Sequence, residues 1–173
     1  MTGIGSHTKT HRGASDDWIT PKRIIEALGP FDLDPCACNP QPWRTATLEH
    51  APPIDGLAED WRGRVWLNLP YGPATGVWLK RLAHHPDGGT ALVFARTETK
   101  MFTQYVWPFA TAVLFIEGRL HFHYPDGRRA KGNSGGPSVL IAYGEYDADR
   151  LRKSAIHGAY LETGNRGTVC HTS

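Results

Sequence analysis

Apolar positions along this chain fall into short runs separated by stretches rich in proline and glycine. Thr20-Pro21 followed by Ile24, Ile25 and Leu28 predicts a helix over residues 20–28, with Thr20 at the cap and Pro21 at the first helical position. Gly29-Pro30 stops it. Phe31-Asp32-Leu33-Asp34 alternates apolar and acidic before Pro35, which predicts a short strand with Asp34 at its carboxyl end. Four prolines exclude any long regular element over residues 36–53 and leave room for a brief strand at 45–48. Val65-Trp66-Leu67 predicts a buried strand. Residues 74–84 predict a helix with Val77, Trp78, Leu79 and Leu82 facing inward, and the almost unbroken apolar run 90–95 a central strand. Then come a helix over 98–109, a strand over 112–122 bulged at Gly118, a polar loop over 126–136 and a last strand over 138–143.

Strands alternating with helices imply an α/β fold with a mostly parallel sheet and right-handed crossovers. The last two strands, joined without a helix, predict an antiparallel hairpin at one edge. In such sheets ligands bind beyond the carboxyl ends of the strands, at the switch point of the strand order. Asp34, Asp60 and Asn68 are assigned to that rim. The expected organisation is one domain over residues 16–146. It is preceded by a flexible arm (1–15) rich in Gly, Ser, Thr and His, and followed by a C-terminal tail (147–173) with one weak helix over 147–156.

The strand at Val65–Leu67 runs into Asn68-Leu69-Pro70-Tyr71-Gly72-Pro73. A strand ending this way sets a carboxamide, a main-chain carbonyl and an aromatic face close together. Carboxamide and carbonyl oxygens both accept from an –NH2 group, and a tyrosine ring stacks on a flat heterocycle. The same residues also suit an ordinary turn after a core strand.

Composition narrows the classes. The chain has 173 residues, 40% hydrophobic and 21% charged, which suits one soluble globular core. No apolar run approaches the roughly 20 residues of a membrane helix, and the first residues carry no apolar signal core, so a cytoplasmic protein is expected. Cys36, Cys38 and Cys170 form no paired framework, and the Cys36/Cys38 spacing suits no zinc site, so neither a disulfide scaffold nor a metal is expected. A net charge of +2 permits nucleic-acid binding, and Arg119, Arg128, Arg129 and Lys131 cluster in the second half.

Asp17-Trp18-Ile19-Thr20-Pro21, Phe31-Asp32-Leu33-Asp34-Pro35-Cys36-Ala37, Gly56-Leu57 with Asp60-Trp61, and Asn68-Leu69-Pro70-Tyr71-Gly72 form ordered blocks. Ala95-Arg96-Thr97-Glu98-Thr99-Lys100, Phe115-Ile116-Glu117-Gly118-Arg119-Leu120-His121-Phe122 and Pro137-Ser138-Val139-Leu140-Ile141 continue them. Together they resemble the phage-type Dam DNA adenine-N6-methyltransferase family over residues 16–144. The resemblance implies a Rossmann-like fold, S-adenosylmethionine as cofactor, DNA as partner and a phage or prophage setting in which methylation shields DNA from restriction. It implies that Asn68 and the carbonyl of Leu69 accept from the adenine amine, with Pro70 and Tyr71 completing the motif and Tyr71 stacking on the base. It implies that Trp18, Thr20, Pro21, Asp34, Pro35, Cys36, Ala37 and Asp60 meet the cofactor. Arg96, Lys100, Arg119, Arg128, Arg129 and Lys131 are the candidate phosphate contacts.

Two departures stand out. Leu69 replaces the family's usual proline, keeping the carbonyl but freeing φ and adding an N–H, so a less rigid site is expected. Ala37-Cys38-Asn39 stand where glycines usually follow the Asp-Pro pair. Methyl transfer to RNA or to protein glutamine, and a non-catalytic DNA-binding relative, remain open alternatives. The oligomeric state is not legible.

Overall fold

The computed structural model describes residues 18–70 and 72–164. The expected arm at 1–15, Tyr71 and residues 165–173 of the expected tail lie outside these. In chain order the elements are α1 (Lys22–Leu28), β1 (Leu33–Asp34), β2 (Leu48–Glu49), β3 (Val65–Leu67), α2 (Thr75–Ala83) and β4 (Gly89–Phe94). A π-helical turn (Phe102–Val106), β5 (Ala112–Ile116), β6 (Ser138–Tyr143), α3 (Glu145–Lys153) and β7 (Gly158–Glu162) follow.

The strands form one seven-stranded sheet in the order β2-β1-β3-β4-β6-β5-β7. The first three pairings are parallel and the last three antiparallel. Side chains alternate across it, so Val65 and Leu67 enter one core with Trp78, Leu79, Leu82, Phe102 and Val106, while Trp66 enters the other with Ile24, Leu28, Ala148 and Leu151. The result is three layers: α2 and the π-helical turn on one face, α1 and α3 on the other.

Several expectations are corrected. The antiparallel part is half the sheet rather than an edge hairpin, because β6 is buried at all six positions and needs a strand on each side. The edge goes to β7, mostly exposed, where a polar tail was expected. Helix α1 starts one residue later than predicted. Pro21 holds the cap, its carbonyl accepting from Ile24 N at 2.9 Å, and Thr20 caps nothing. Val77 is 54% exposed, since it lies about 100° round the helix from Trp78 and about 200° from Leu79. The helix expected at 98–109 contains the π-helical turn, with Trp107 N donating to Phe102 O at 2.9 Å. The ladder of β5 ends at Ile116. Leu120 and Phe122 are buried outside it, and His123 bridges to Ile19 and Arg129.

Beyond the amino ends of the strands, Arg64 ties the layers together. Its Nε donates to Asp147 Oδ1 at 2.9 Å and its Nη1 to the carbonyls of Leu28 and Pro30 at 2.8 Å each. Thr90 Oγ1 donates to the same Asp147 oxygen at 2.7 Å.

Candidate active site

Strand β1 connects onward to β2 on one side and the neighbouring β3 connects onward to β4 on the other, which opens a crevice at the carboxyl ends of β1 and β3. Asp34 ends β1, and Asn68 follows the last residue of β3. One cleft at this rim is lined by Trp18, Ile19, Thr20, Asp34, Cys36, Ala37, Cys38, Gln41, Thr45, Trp66 and Asn68. Six of the residues predicted from the sequence are thus brought together: Trp18, Thr20, Asp34, Cys36, Ala37 and Asn68. Pro21 and Pro35, both buried, adjoin them.

Asp34 lies at the floor of the cleft. Its Oδ2 accepts from Thr45 Oγ1 at 2.5 Å and its Oδ1 from Cys36 N at 3.1 Å. Burial pushes its carboxyl from 3.8 up to about 7, and the charge of Glu49 adds to this, while the bonds from Thr45 and Cys36 pull the other way. Glu49 holds the surrounding loop by accepting from Thr45 N at 2.7 Å and Gln41 Nε2 at 3.0 Å. Burial first, and then the Asp34 charge, push the Cys36 thiol well above its usual range, so it stays protonated. It donates to the main-chain oxygen of Asn68 at 3.3 Å.

Two more groups in the cleft are unsatisfied: Thr20 Oγ1 and Trp66 Nε1 are buried without a hydrogen-bond partner. Buried polar atoms normally find partners, so these two, in the cleft that holds Asp34, are available to a polar ligand. The cleft is tight, with free room of about 10 Å³, on the order of one water molecule. Small-molecule sites usually span roughly 300–1,000 Å³, so a nucleoside-sized ligand needs the rim to part. Asn68 Nδ2, bonded to Trp18 O at 2.6 Å, closes that rim.

The Asn-Leu-Pro segment is anchored from below. Leu69 is 2% exposed and packs in the core that holds Trp78 and Leu79, so its side chain fixes what a proline ring would otherwise constrain. Pro70 is exposed, and its carbonyl accepts from Thr75 Oγ1 at 3.0 Å at the start of α2. Gly56 belongs to a turn pressed on the loop after β1: a Cβ there would stand 1.7 Å from Pro35 O.

Asp60 is not part of this cleft. It lines a larger groove with Trp61, Val77, Lys80, Arg81, His84, His85 and Pro86, along the outer side of α2. That groove has more room, about 480 Å³, but none of the other predicted site residues. The chemistry of the lining groups, not the volume, distinguishes the narrow cleft.

The six basic candidates are all exposed. Arg96 and Lys100 lie in the segment leaving the carboxyl end of β4, and Arg119, Arg128, Arg129 and Lys131 in the segment leaving β5, so all six depart from the rim that carries Asn68. A hairpin holds Arg128 and Arg129, with Tyr124 N donating to Arg128 O at 2.9 Å and Ala130 N to Phe122 O at 2.8 Å. It packs on the cleft wall through Trp18, whose ring lies 6.4 Å from Phe122 and 5.8 Å from Tyr124. Arg128 also pairs with Asp126 at 2.7 Å.

Sequence reasoning missed Thr45, Gln41, Glu49 and Trp66. The first three sit around an irregular proline-rich loop without periodicity, and Trp66 reads only as a core strand residue. Among the described residues no group of His, Cys, Asp or Glu could hold a metal ion, and no helix is long and apolar enough to cross a membrane.

No curated protein and no solved structure matches the chain. A family model described as DNA N-6-adenine-methyltransferase (Dam) matches residues 5–166, nearly its whole length. With Asn68 and Asp34 meeting at one rim of an α/β sheet, the chain belongs to this family of DNA adenine-N6 methyltransferases.

Proposed function

We propose that the protein carries a Rossmann-like cofactor site at the β1–β3 crevice and uses S-adenosylmethionine to methylate N6 of an adenine extruded from DNA. The observation that carries this reading is the single cleft in which Asp34, the orphaned Thr20 and Trp66 donors, and Asn68 meet. The donor set fits an amino-acid ligand end. The Asp34 carboxylate suits an α-ammonium, whose charge offsets the desolvation that raises its pKa. Thr20 Oγ1 and Trp66 Nε1 are free to donate to a carboxylate. When bound, the cofactor supplies an electrophilic sulfonium methyl group.

The chain's own residues do the rest by positioning. Asn68 Nδ2 is engaged by Trp18, which leaves Oδ1 as an acceptor. The Leu69 carbonyl has no hydrogen-bond partner among the described residues and provides a second acceptor. An adenine amine that donates to both becomes more tetrahedral, and its lone pair is freed from the ring to attack. Such preorganisation supplies the barrier reduction without a dedicated base: the donor would leave as a neutral thioether, and the excess amine proton would pass to solvent. Tyr71 stacks on the extruded base. The exposed arginines and lysines on the rim bind phosphates and hold the duplex in register. In a phage or prophage setting this modification shields DNA from restriction, in the cytoplasm of the host.

Labelled S-adenosylmethionine offered with DNA, RNA and protein acceptors tests the reading. Label is expected in N6-methyladenine of DNA, and label confined to RNA or glutamine overturns the substrate assignment. Asn68→Ala should lower kcat by roughly 100–1,000-fold while leaving cofactor affinity within a few fold. Undiminished turnover in that variant removes the catalytic assignment.

A further inference from the structure

Asn68 is not free to turn. Its Nδ2 donates to the main-chain oxygen of Trp18 at 2.6 Å, and its own main-chain oxygen accepts from Cys36 Sγ at 3.3 Å. The Trp18 carbonyl is itself held in place. Ile19 N donates to His123 O and His123 N to Ile19 O, both at 2.9 Å, while Trp43 Nε1 donates to Thr20 O at 3.2 Å. A carbonyl accepts and never donates, so it selects the –NH2 end of the carboxamide and turns Oδ1 away from itself.

We propose that the Trp18 main-chain carbonyl is a positioning group that makes position 68 specific for asparagine over aspartate. The inference rests on the reading of Asn68 as acceptor for the target amine. Trp18 does not touch that amine; it fixes which carboxamide atom faces it. An aspartate at this position brings a carboxylate oxygen against the carbonyl at hydrogen-bond distance, two acceptors with no proton between them. The carboxylate then either rotates, losing its alignment with the amine, or takes up a proton and donates it to Trp18 O. The protonated form is isosteric with the carboxamide: its hydroxyl takes the role of Nδ2 and its carbonyl oxygen that of Oδ1.

A pH profile separates this from a merely structural effect. Turnover by wild type, Asn68→Asp and Asn68→Ala is compared at saturating DNA and cofactor, with thermal unfolding run on each to match folded fractions. Titratable groups facing this region are Asp34, Cys36 and Cys38 from the β1 end, Glu49 behind Thr45, and Tyr124, packed on Trp18, with His123 and Arg129 on the hairpin paired to Ile19. All are common to the three proteins and cancel in the ratio of variant to wild type. At mildly alkaline pH, kcat of Asn68→Asp is expected to fall about ten- to a hundredfold. Its ratio to wild type should then rise as pH is lowered, because protonation restores the donor to Trp18. The Asn68→Ala ratio should stay low and flat. Asn68→Asp activity equal to wild type, or a deficit that does not change with pH, overturns the role of Trp18 and leaves the catalytic reading intact. A fully active Asn68→Ala overturns both.

Discussion

Replacing Asp34 by asparagine should strengthen the ligand-free fold at neutral pH while weakening cofactor binding. Burial holds the Asp34 carboxyl at about 7 in the folded protein, against an ordinary value of 3.8. The folded state therefore binds this proton more tightly than the unfolded chain does. Stability that is fully present below pH 3.8 is lost as pH rises through about 7. A displacement of that size corresponds to about 4 kcal/mol at most. Asparagine carries no charge to desolvate and still accepts from Thr45 or Cys36. Its stability relative to wild type should climb by roughly 2–4 kcal/mol between about pH 4 and about pH 7.5. In the proposed complex a cofactor ammonium against this carboxylate reverses the preference. Wild-type affinity should weaken about tenfold per pH unit below about pH 7, whereas Asp34→Asn should bind weakly with no such slope. Urea unfolding followed by tryptophan fluorescence, and calorimetric titration with S-adenosylmethionine across the same range, read both effects. Identical pH dependence of stability in the two proteins would refute the reasoning, as would an equal affinity slope in the variant.

Three further outcomes follow from the geometry. Gly56→Ala puts a Cβ 1.7 Å from Pro35 O, so the turn must move off the loop after β1. A loss of roughly 2–4 kcal/mol in chemical denaturation is expected, with weaker cofactor binding. Asp147→Ala leaves the buried Arg64 without its carboxylate and should cost about 3–5 kcal/mol of stability, read by the same method. Arg129→Ala should make the salt dependence of DNA affinity shallower by about one unit in the log–log slope. Arg128→Ala should do less, since Asp126 already engages that guanidinium.

What the sequence revealed of the site follows from contiguity. Asn68-Leu69-Pro70 and Asp34-Pro35-Cys36 each sit where an apolar run stops, and a strand end can be read from such a stop. Leu69 illustrates the limit: as a departure from a motif it reads as looseness, yet its burial beside Trp78 anchors the turn. Asp60 shows the reverse separation. It sits between the β2 and β3 regions in sequence, but in space it belongs to the outer side of α2.

By itself the sequence determined the order of strands and helices as far as the strand at 138–143, the acids and amides at strand ends, and the family. These depend on local alternation of apolar and polar residues and on short ordered motifs. Only the tertiary structure decided that β6 inserts between β4 and β5 and that residues 158–162 close the sheet. It alone joined Asp147 to Arg64 and brought Trp18 to Asn68 across 50 residues of chain. Such contacts are set by which faces must be buried and which polar atoms must be satisfied, and those demands are met between segments whose spacing in sequence carries no periodic signal.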